Sequence, residues 1–200
     1  MNHHGSGRHE QSILTNETLR KYLFLTALSG LLVIIHIGTG IVIRKLGLHL
    51  PGISGLIWMP LLVMGKKRWR TRISGTYMAS VSSAVVLSVT PMLGIGGMGG
   101  AWIAPFLRYG IPGAALDVFW PLAERLSGRF SAYLIAAATV AALSHAGKAF
   151  FVLVSCYLRG KGLPADPLML FLLHFAFGAA GGVMGTMMGA LGFRGKNRNS

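Results

Sequence analysis

The sequence predicts an all-α membrane protein: a six-span helical bundle whose second span is short or broken. Two observations carry this prediction: hydrophobic residues make up 52% of the chain, whereas charged residues make up only 12%. A soluble domain contains about 25% charged residues, and a disordered basic tail would lack the apolar mass. The length of 200 residues suits one bundle, because each span needs about 20 apolar residues.

Six apolar segments define the spans, at 22–43, 49–65, 73–93, 102–122, 130–158 and 167–193. The second is the shortest and starts close to Pro51-Gly52, so we expect a broken or re-entrant element. The fourth contains Pro105 and Pro112-Gly113, which we expect to interrupt it. Outside the transmembrane domain at 22–193, a flexible basic tail is expected over 1–21 and a second basic tail over 194–200.

Lysine and arginine counting predicts that both termini are cytoplasmic. With the N-terminus inside, thirteen of these residues fall in cytoplasmic segments and four in external ones, as the positive-inside rule requires. The net charge of +14 does not indicate a nucleic-acid partner, because the bases form short clusters between long apolar runs. The single cysteine, Cys156, excludes an intramolecular disulfide.

Ionisable residues inside spans are costly and usually functional. The spans contain six of them: His36, Arg108, Asp117, His145, Lys148 and His174. Depths counted at 1.5 Å per residue place all except Asp117 in the outer half of the bilayer. A polar layer at one level predicts a pocket that opens outward.

The charges in this layer predict the chemistry of a ligand. Neither Arg108 nor Lys148 has a carboxylate at its own depth in the sequence, and a buried cation without a partner recruits an anion or loses its proton. We therefore expect an anionic ligand, with the histidines as hydrogen-bonding groups. The competing interpretation is that each histidine bonds a nearby backbone group and that Lys148 extends toward the surface.

Asp117 lies in the inner half, and we expect a structural role for it. It would accept hydrogen bonds from a neighbouring span or pair with a base of the run at 66–72. A proton relay is disfavoured because the spans contain no chain of carboxylates.

Small residues at intervals of four predict close helix packing. They are Gly181, Gly185 and Gly189 on the sixth span, and Gly75 and Ala79 on the third. These faces suit either packing within the bundle or an interface with a partner membrane protein. No Walker A, HExxH or GxSxG motif is present, so we do not expect an enzyme.

The stretch LPGISGLIWMPLL at 50–62 and the stretch RYGIPGAALD at 108–117, together with six spans and internal termini, resemble the substrate-binding S components of energy-coupling-factor (ECF) transporters. The resemblance implies a solute-binding subunit for uptake of a small anionic or amphipathic, vitamin-like molecule. It also implies a transmembrane coupling subunit and cytoplasmic ATPases as partners, in a bacterial or archaeal plasma membrane.

The resemblance adds two residues to the expected site. It places the ligand beneath the loop between the first two spans, with His49 as a lid contact, and it brings Tyr109 beside Arg108. The family's AxxxA docking motif on the first span is replaced here by Thr26 and Gly30.

Two alternatives from other functional classes stay open. One is a haem b anchor subunit of a redox complex, with His36 and His174 as axial ligands and with Arg108 and Lys148 on the propionates. The other is a structural subunit of a larger membrane complex. Outside the haem alternative, the sequence predicts no cofactor and no metal.

Overall fold

The computed structural model describes residues 6–47, 51–69, 71–92, 103–126, 128–158, 160 and 166–191. Within them the chain forms six helices and no strand: α1 Ser6–Lys45, α2 Gly55–Trp69, α3 Ser74–Met92, α4 Ile103–Glu124, α5 Phe130–Leu158 and α6 Pro167–Leu191. The predicted limits of the last four spans agree with α3 to α6 to within two residues. Helix α1 begins at Ser6, inside the segment predicted as a tail.

Three helices are long and apolar enough to cross a membrane. These stretches are Asn16–Ile43 in α1, Phe130–Leu158 in α5 and Pro167–Ala190 in α6, and α3 contains a shorter apolar stretch, Ser74–Val89. Large apolar side chains on several helices are mostly exposed, among them Ile34, Val118, Ile135 and Leu168. Apolar surface of this extent suits hydrocarbon better than water, which supports the prediction of a helical membrane protein.

Helix α2 is the centre of the bundle, since it contacts all five other helices. The others surround it in the order α1, α3, α4, α5, α6, and in the described part of the chain no Cα atom of α1 lies within 8 Å of a Cα atom of α6. The ring therefore has one open seam. The prediction of a short second element is confirmed: α2 has 15 residues, about 22 Å of helix, against a hydrocarbon core of about 30 Å.

The basic run at 66–72 does not lie outside the second element, because α2 continues to Trp69. Lys66 is buried, and its Nζ donates to Asp117 Oδ1 at 2.5 Å and to the Thr71 carbonyl at 2.6 Å. Asp117 also accepts hydrogen bonds from the backbone N–H groups of Gly75 and Thr76, at 3.0 and 2.6 Å. This confirms the prediction that Asp117 pairs with a base of the run, and it satisfies two N–H groups at the start of α3.

The expected interruption of the fourth span is wrong, because α4 is continuous through Pro105 and Pro112. A proline inside a helix removes one backbone hydrogen bond and can kink the helix without ending it. Gly113 gives a different reason for the Pro-Gly pair, because a Cβ at position 113 would lie 2.5 Å from the Cβ of Ala79 on α3. The Pro-Gly pair permits close packing of α3 and α4.

Three glycines of α6, at 181, 185 and 189, pack against α2. A Cβ on Gly185 would meet the Pro60 carbonyl at 2.5 Å, one on Gly181 would meet the Pro60 ring at 3.1 Å, and one on Gly189 would meet Lys67 Cδ at 2.9 Å. These three positions are therefore occupied by contacts within the chain.

The small residues of α3 are used in the same way. A Cβ on Gly75 would lie 2.7 Å from the Gly113 carbonyl, and Ala79 is fully buried. The interpretation of Gly75, Ala79, Gly181, Gly185 and Gly189 as a surface for a partner membrane protein is thereby corrected: close helix contact inside the bundle covers all five.

Replacing Gly185 with Val should destabilise the bundle, because the new side chain meets the backbone of α2, which cannot rotate away. We expect a loss of about 1–3 kcal/mol, visible as a lower Tm in detergent. Gly30→Val is the matched control, because no atom lies within 4 Å of a Cβ at Gly30. An equal loss in both variants would show that helix propensity, and not packing on α2, sets the effect.

Candidate functional site

A cavity of about 280 Å³ lies where the seam of the ring meets the start of α2. Its wall comes from the last part of α1, the turn at 51–54, the start of α2, the second half of α5 and the start of α6. The lining residues are His36, Thr39, Gly40, Ile43, Pro51, Gly52, Ile53, Ser54, Ile57, Lys148, Val152, Leu170 and His174.

The cavity brings together His36, Lys148 and His174. These three side chains were predicted to meet because they lie at similar depths in their spans. They lie in the last third of α1, the last half of α5 and the first third of α6. All three therefore lie near one end of the bundle, and the Lys66–Asp117 pair lies at the other end of α2.

Lys148 is the buried cation of this cavity. Its side chain is 4% exposed, and its Nζ donates to Ser54 Oγ at 2.6 Å. Ser54 immediately precedes α2, and its carbonyl accepts from the N–H of Trp58 at 2.9 Å. The amino-terminal end of a helix carries positive partial charge. The ammonium group and the start of α2 therefore both favour an anion here.

His174 and His145 form a stacked pair, with ring centroids 5.1 Å apart and planes inclined by 23°. His145 Nε2 donates to the carbonyl of Gly52 at 3.1 Å, and His174 Nδ1 donates to the carbonyl of Leu170 at 2.9 Å. Because carbonyls only accept, these bonds fix the proton position on each neutral ring. His174 lines the cavity, whereas His145 supports both His174 and the turn before α2.

Close backbone approach holds this turn in place. Gly52 has φ of 82°, which side-chain-bearing residues rarely adopt, and a Cβ there would lie 2.8 Å from the His174 backbone. A Cβ on Gly55 would lie 2.8 Å from the His145 ring. Two glycines thus seat the start of α2 directly on the histidine pair.

His36 is oriented by Trp58 of α2. The indole Nε1–H donates to His36 Nδ1 at 3.2 Å, and the rings meet edge to face at a centroid distance of 5.6 Å. An indole N–H can only donate, so Nδ1 carries the lone pair and Nε2 carries the proton of the neutral ring. The imidazole is therefore arranged as a hydrogen-bond donor through Nε2.

Three of the predicted ligand residues cannot be placed. His49 lies outside the described residues, and so do the side chains of Arg108 and Tyr109, although their backbone belongs to α4. Of the seven predicted residues, His36, Lys148 and His174 line the cavity and His145 lies directly behind it.

Ser54 is a site residue that the sequence analysis missed. A serine immediately before an apolar helical segment is a recognised helix-start signal, and it would have placed a hydroxyl at the head of α2. The sequence gives no indication that Lys148, 94 positions away, would donate to it.

The haem alternative requires His36 as an axial ligand, and the geometry does not suit that role. An axial histidine binds iron through one ring nitrogen and keeps a proton on the other. Here the Trp58 indole N–H occupies the lone pair of His36 Nδ1, and Nε2 holds the proton. In this arrangement His36 does not suit the role of an axial haem ligand.

Comparison of the chain with models of protein families, with curated proteins and with solved structures finds no match in any of the three.

Proposed function

We propose that the protein is an integral membrane subunit that binds a small anionic or amphipathic solute for uptake. The observation that carries this proposal is a cavity at one end of the bundle lined by the buried Lys148 together with His36, Ser54 and His174. Cavities of this kind, apolar with a few convergent polar groups, are the usual form of small-molecule sites.

The electrostatics select an anion. Lys148 provides a full charge, the start of α2 provides partial charge, and His36 provides an N–H donor. Anions gain most from donors and charges fixed in a setting of low dielectric constant. A cationic solute would be repelled by the same groups.

The proposed topology directs the cavity outward. With six spans and both termini cytoplasmic, the basic end of α2 with Lys66 faces the cytoplasm, and the turn at 51–54 faces the exterior. The positive-inside bias supports this orientation. Uptake would then require energy from partner ATPases and a coupling subunit, as the resemblance to S components implies, because the chain has no Walker A motif.

Matched carboxylate and amine ligands test the proposal. Octanoate should raise the Tm of the purified protein by about 5–10 °C at saturating concentration, corresponding to about 2–3 kcal/mol, and octylamine should not. Native mass spectrometry should show a retained anion after gentle extraction. Equal stabilisation by both ligands would refute an anion site, and a Soret band in the visible spectrum would restore the haem alternative.

A further inference from the structure

The open seam of the helix ring coincides with the cavity. No Cα atom of α1 lies within 8 Å of one of α6 in the described part of the chain, yet both helices line the cavity, α1 through Gly40 and Ile43 and α6 through Leu170 and His174. Among the described residues, the cavity therefore lies at the one wide gap between neighbouring helices of the ring.

The wall of the cavity is divided by chemistry. The polar side chains are His36, Thr39, Ser54, Lys148 and His174, and the apolar ones include Ile43, Ile57, Val152 and Leu170. The two helices at the seam each contribute an apolar side chain, Ile43 from α1 and Leu170 from α6. A ligand that matches both parts has one anionic group and one hydrocarbon part.

Apolar surface continues outward from the seam. Beside the cavity residues of α1, Ile41 and Val42 are exposed, and beside those of α6, Phe171 and Leu172 are exposed. In a bilayer these residues would meet acyl chains. In a bilayer, the hydrocarbon core would therefore reach the two helices that border the seam, α1 and α6.

The size of the cavity fits only part of such a ligand. Sites that enclose a drug-sized molecule measure about 300–1,000 Å³, and this cavity measures about 280 Å³. It accommodates a headgroup and the first carbons of a chain, so that the remainder of a longer chain must leave through an opening.

We propose that the ligand is a long-chain carboxylate that enters sideways from the bilayer between α1 and α6. Its carboxylate binds at Lys148, and its chain passes between Ile43 and Leu170 into the surrounding hydrocarbon. This inference rests on the proposed function and narrows its substrate class.

Photo-crosslinking in nanodiscs tests the route. Palmitate with a diazirine at mid-chain is the probe, and adducts are located by mass spectrometry. We expect adducts on α1 and α6 near the seam, competed by palmitate at least ten-fold better than by octanoate and not by acetate. Lys148→Met should reduce these adducts at least ten-fold.

A matched pair of variants on α1 tests the seam itself. Gly40 lines the cavity, and no atom lies within 4 Å of a Cβ at Gly40 or at Gly38, so both accept a larger side chain. Gly40→Phe should place a ring at the seam and reduce crosslinking at least ten-fold. Gly38→Phe, which does not line the cavity, should leave crosslinking unchanged.

The outcomes separate this inference from the proposed function. If acetate and octanoate stabilise the protein in a Lys148-dependent way while palmitate does not, the sideways route is refuted and the anion site stands. If no carboxylate of any length binds, both proposals are refuted. If palmitate crosslinks equally to wild type and Lys148→Met, the headgroup site is wrong and the probe reports only lipid contact.

Discussion

Asp117→Asn should lower the free energy of unfolding by about 3–5 kcal/mol, the usual cost of removing one partner of a buried ion pair. Lys66 and Asp117 are 3% and 7% exposed, so water cannot replace the lost charge. The carboxylate also accepts from the N–H groups of Gly75 and Thr76, and an amide cannot accept at both of its atoms. Titration with sodium dodecyl sulfate in mixed micelles measures the loss.

Asp166→Asn is the matched control for this substitution. Asp166 is exposed, and its Oδ1 accepts from the N–H of Met169 at the start of α6, at 2.8 Å. Asparagine serves equally well at such a position, so we expect a change below about 0.5 kcal/mol. The double variant Lys66→Met/Asp117→Leu should recover part of the loss, because it no longer buries a single charge. Similar losses for Asp117→Asn and Asp166→Asn would contradict a structural ion pair.

Lys148→Met should lower the affinity for octanoate by about 30-fold or more, equivalent to about 2 kcal/mol. Methionine keeps most of the side chain's length and removes the ammonium group of Lys148, a residue that is 4% exposed and lines the cavity. The fold should persist, since the substitution replaces a buried charge with an apolar side chain of similar volume. Isothermal titration calorimetry of both proteins measures the difference.

Lys21→Met provides the comparison for this variant. Lys21 lies on α1 about four turns before His36, the first cavity residue of that helix, and beside the ring of Tyr22. Its loss removes an equal charge and should leave octanoate affinity unchanged. A similar loss in both variants would show that net charge attracts the anion and that Lys148 has no specific part in binding.

Part of this site could be predicted because helix geometry is regular. A constant rise per residue is sufficient to place His36, Lys148 and His174 at one level once the spans are known. The same regularity placed Asp117 at the level of the basic run, where it pairs with Lys66.

The remainder depends on contacts that no local pattern encodes. The central position of α2 depends on glycines of α6 that pack against Pro60. From the sequence alone, the same glycines were equally compatible with a surface for a partner protein. The role of His145 behind His174 follows from the left-handed turn at Gly52. The seam between α1 and α6 is a gap between two helices, and no sequence pattern indicates which helices stay apart.

Thiol labelling inside the cavity tests the central claim, a cavity made positive by Lys148, most directly. Thr39 lines the cavity, and among the described residues its hydroxyl bonds only carbonyls of its own helix, at 2.6 and 3.2 Å, so Thr39→Cys in a Cys156→Ser background should fold. An anionic methanethiosulfonate should react there several-fold faster than a cationic one, with each rate taken relative to a free thiol, and Lys148→Met should abolish the preference. Equal rates, or faster reaction of the cationic reagent, would show that Lys148 does not make the cavity positive.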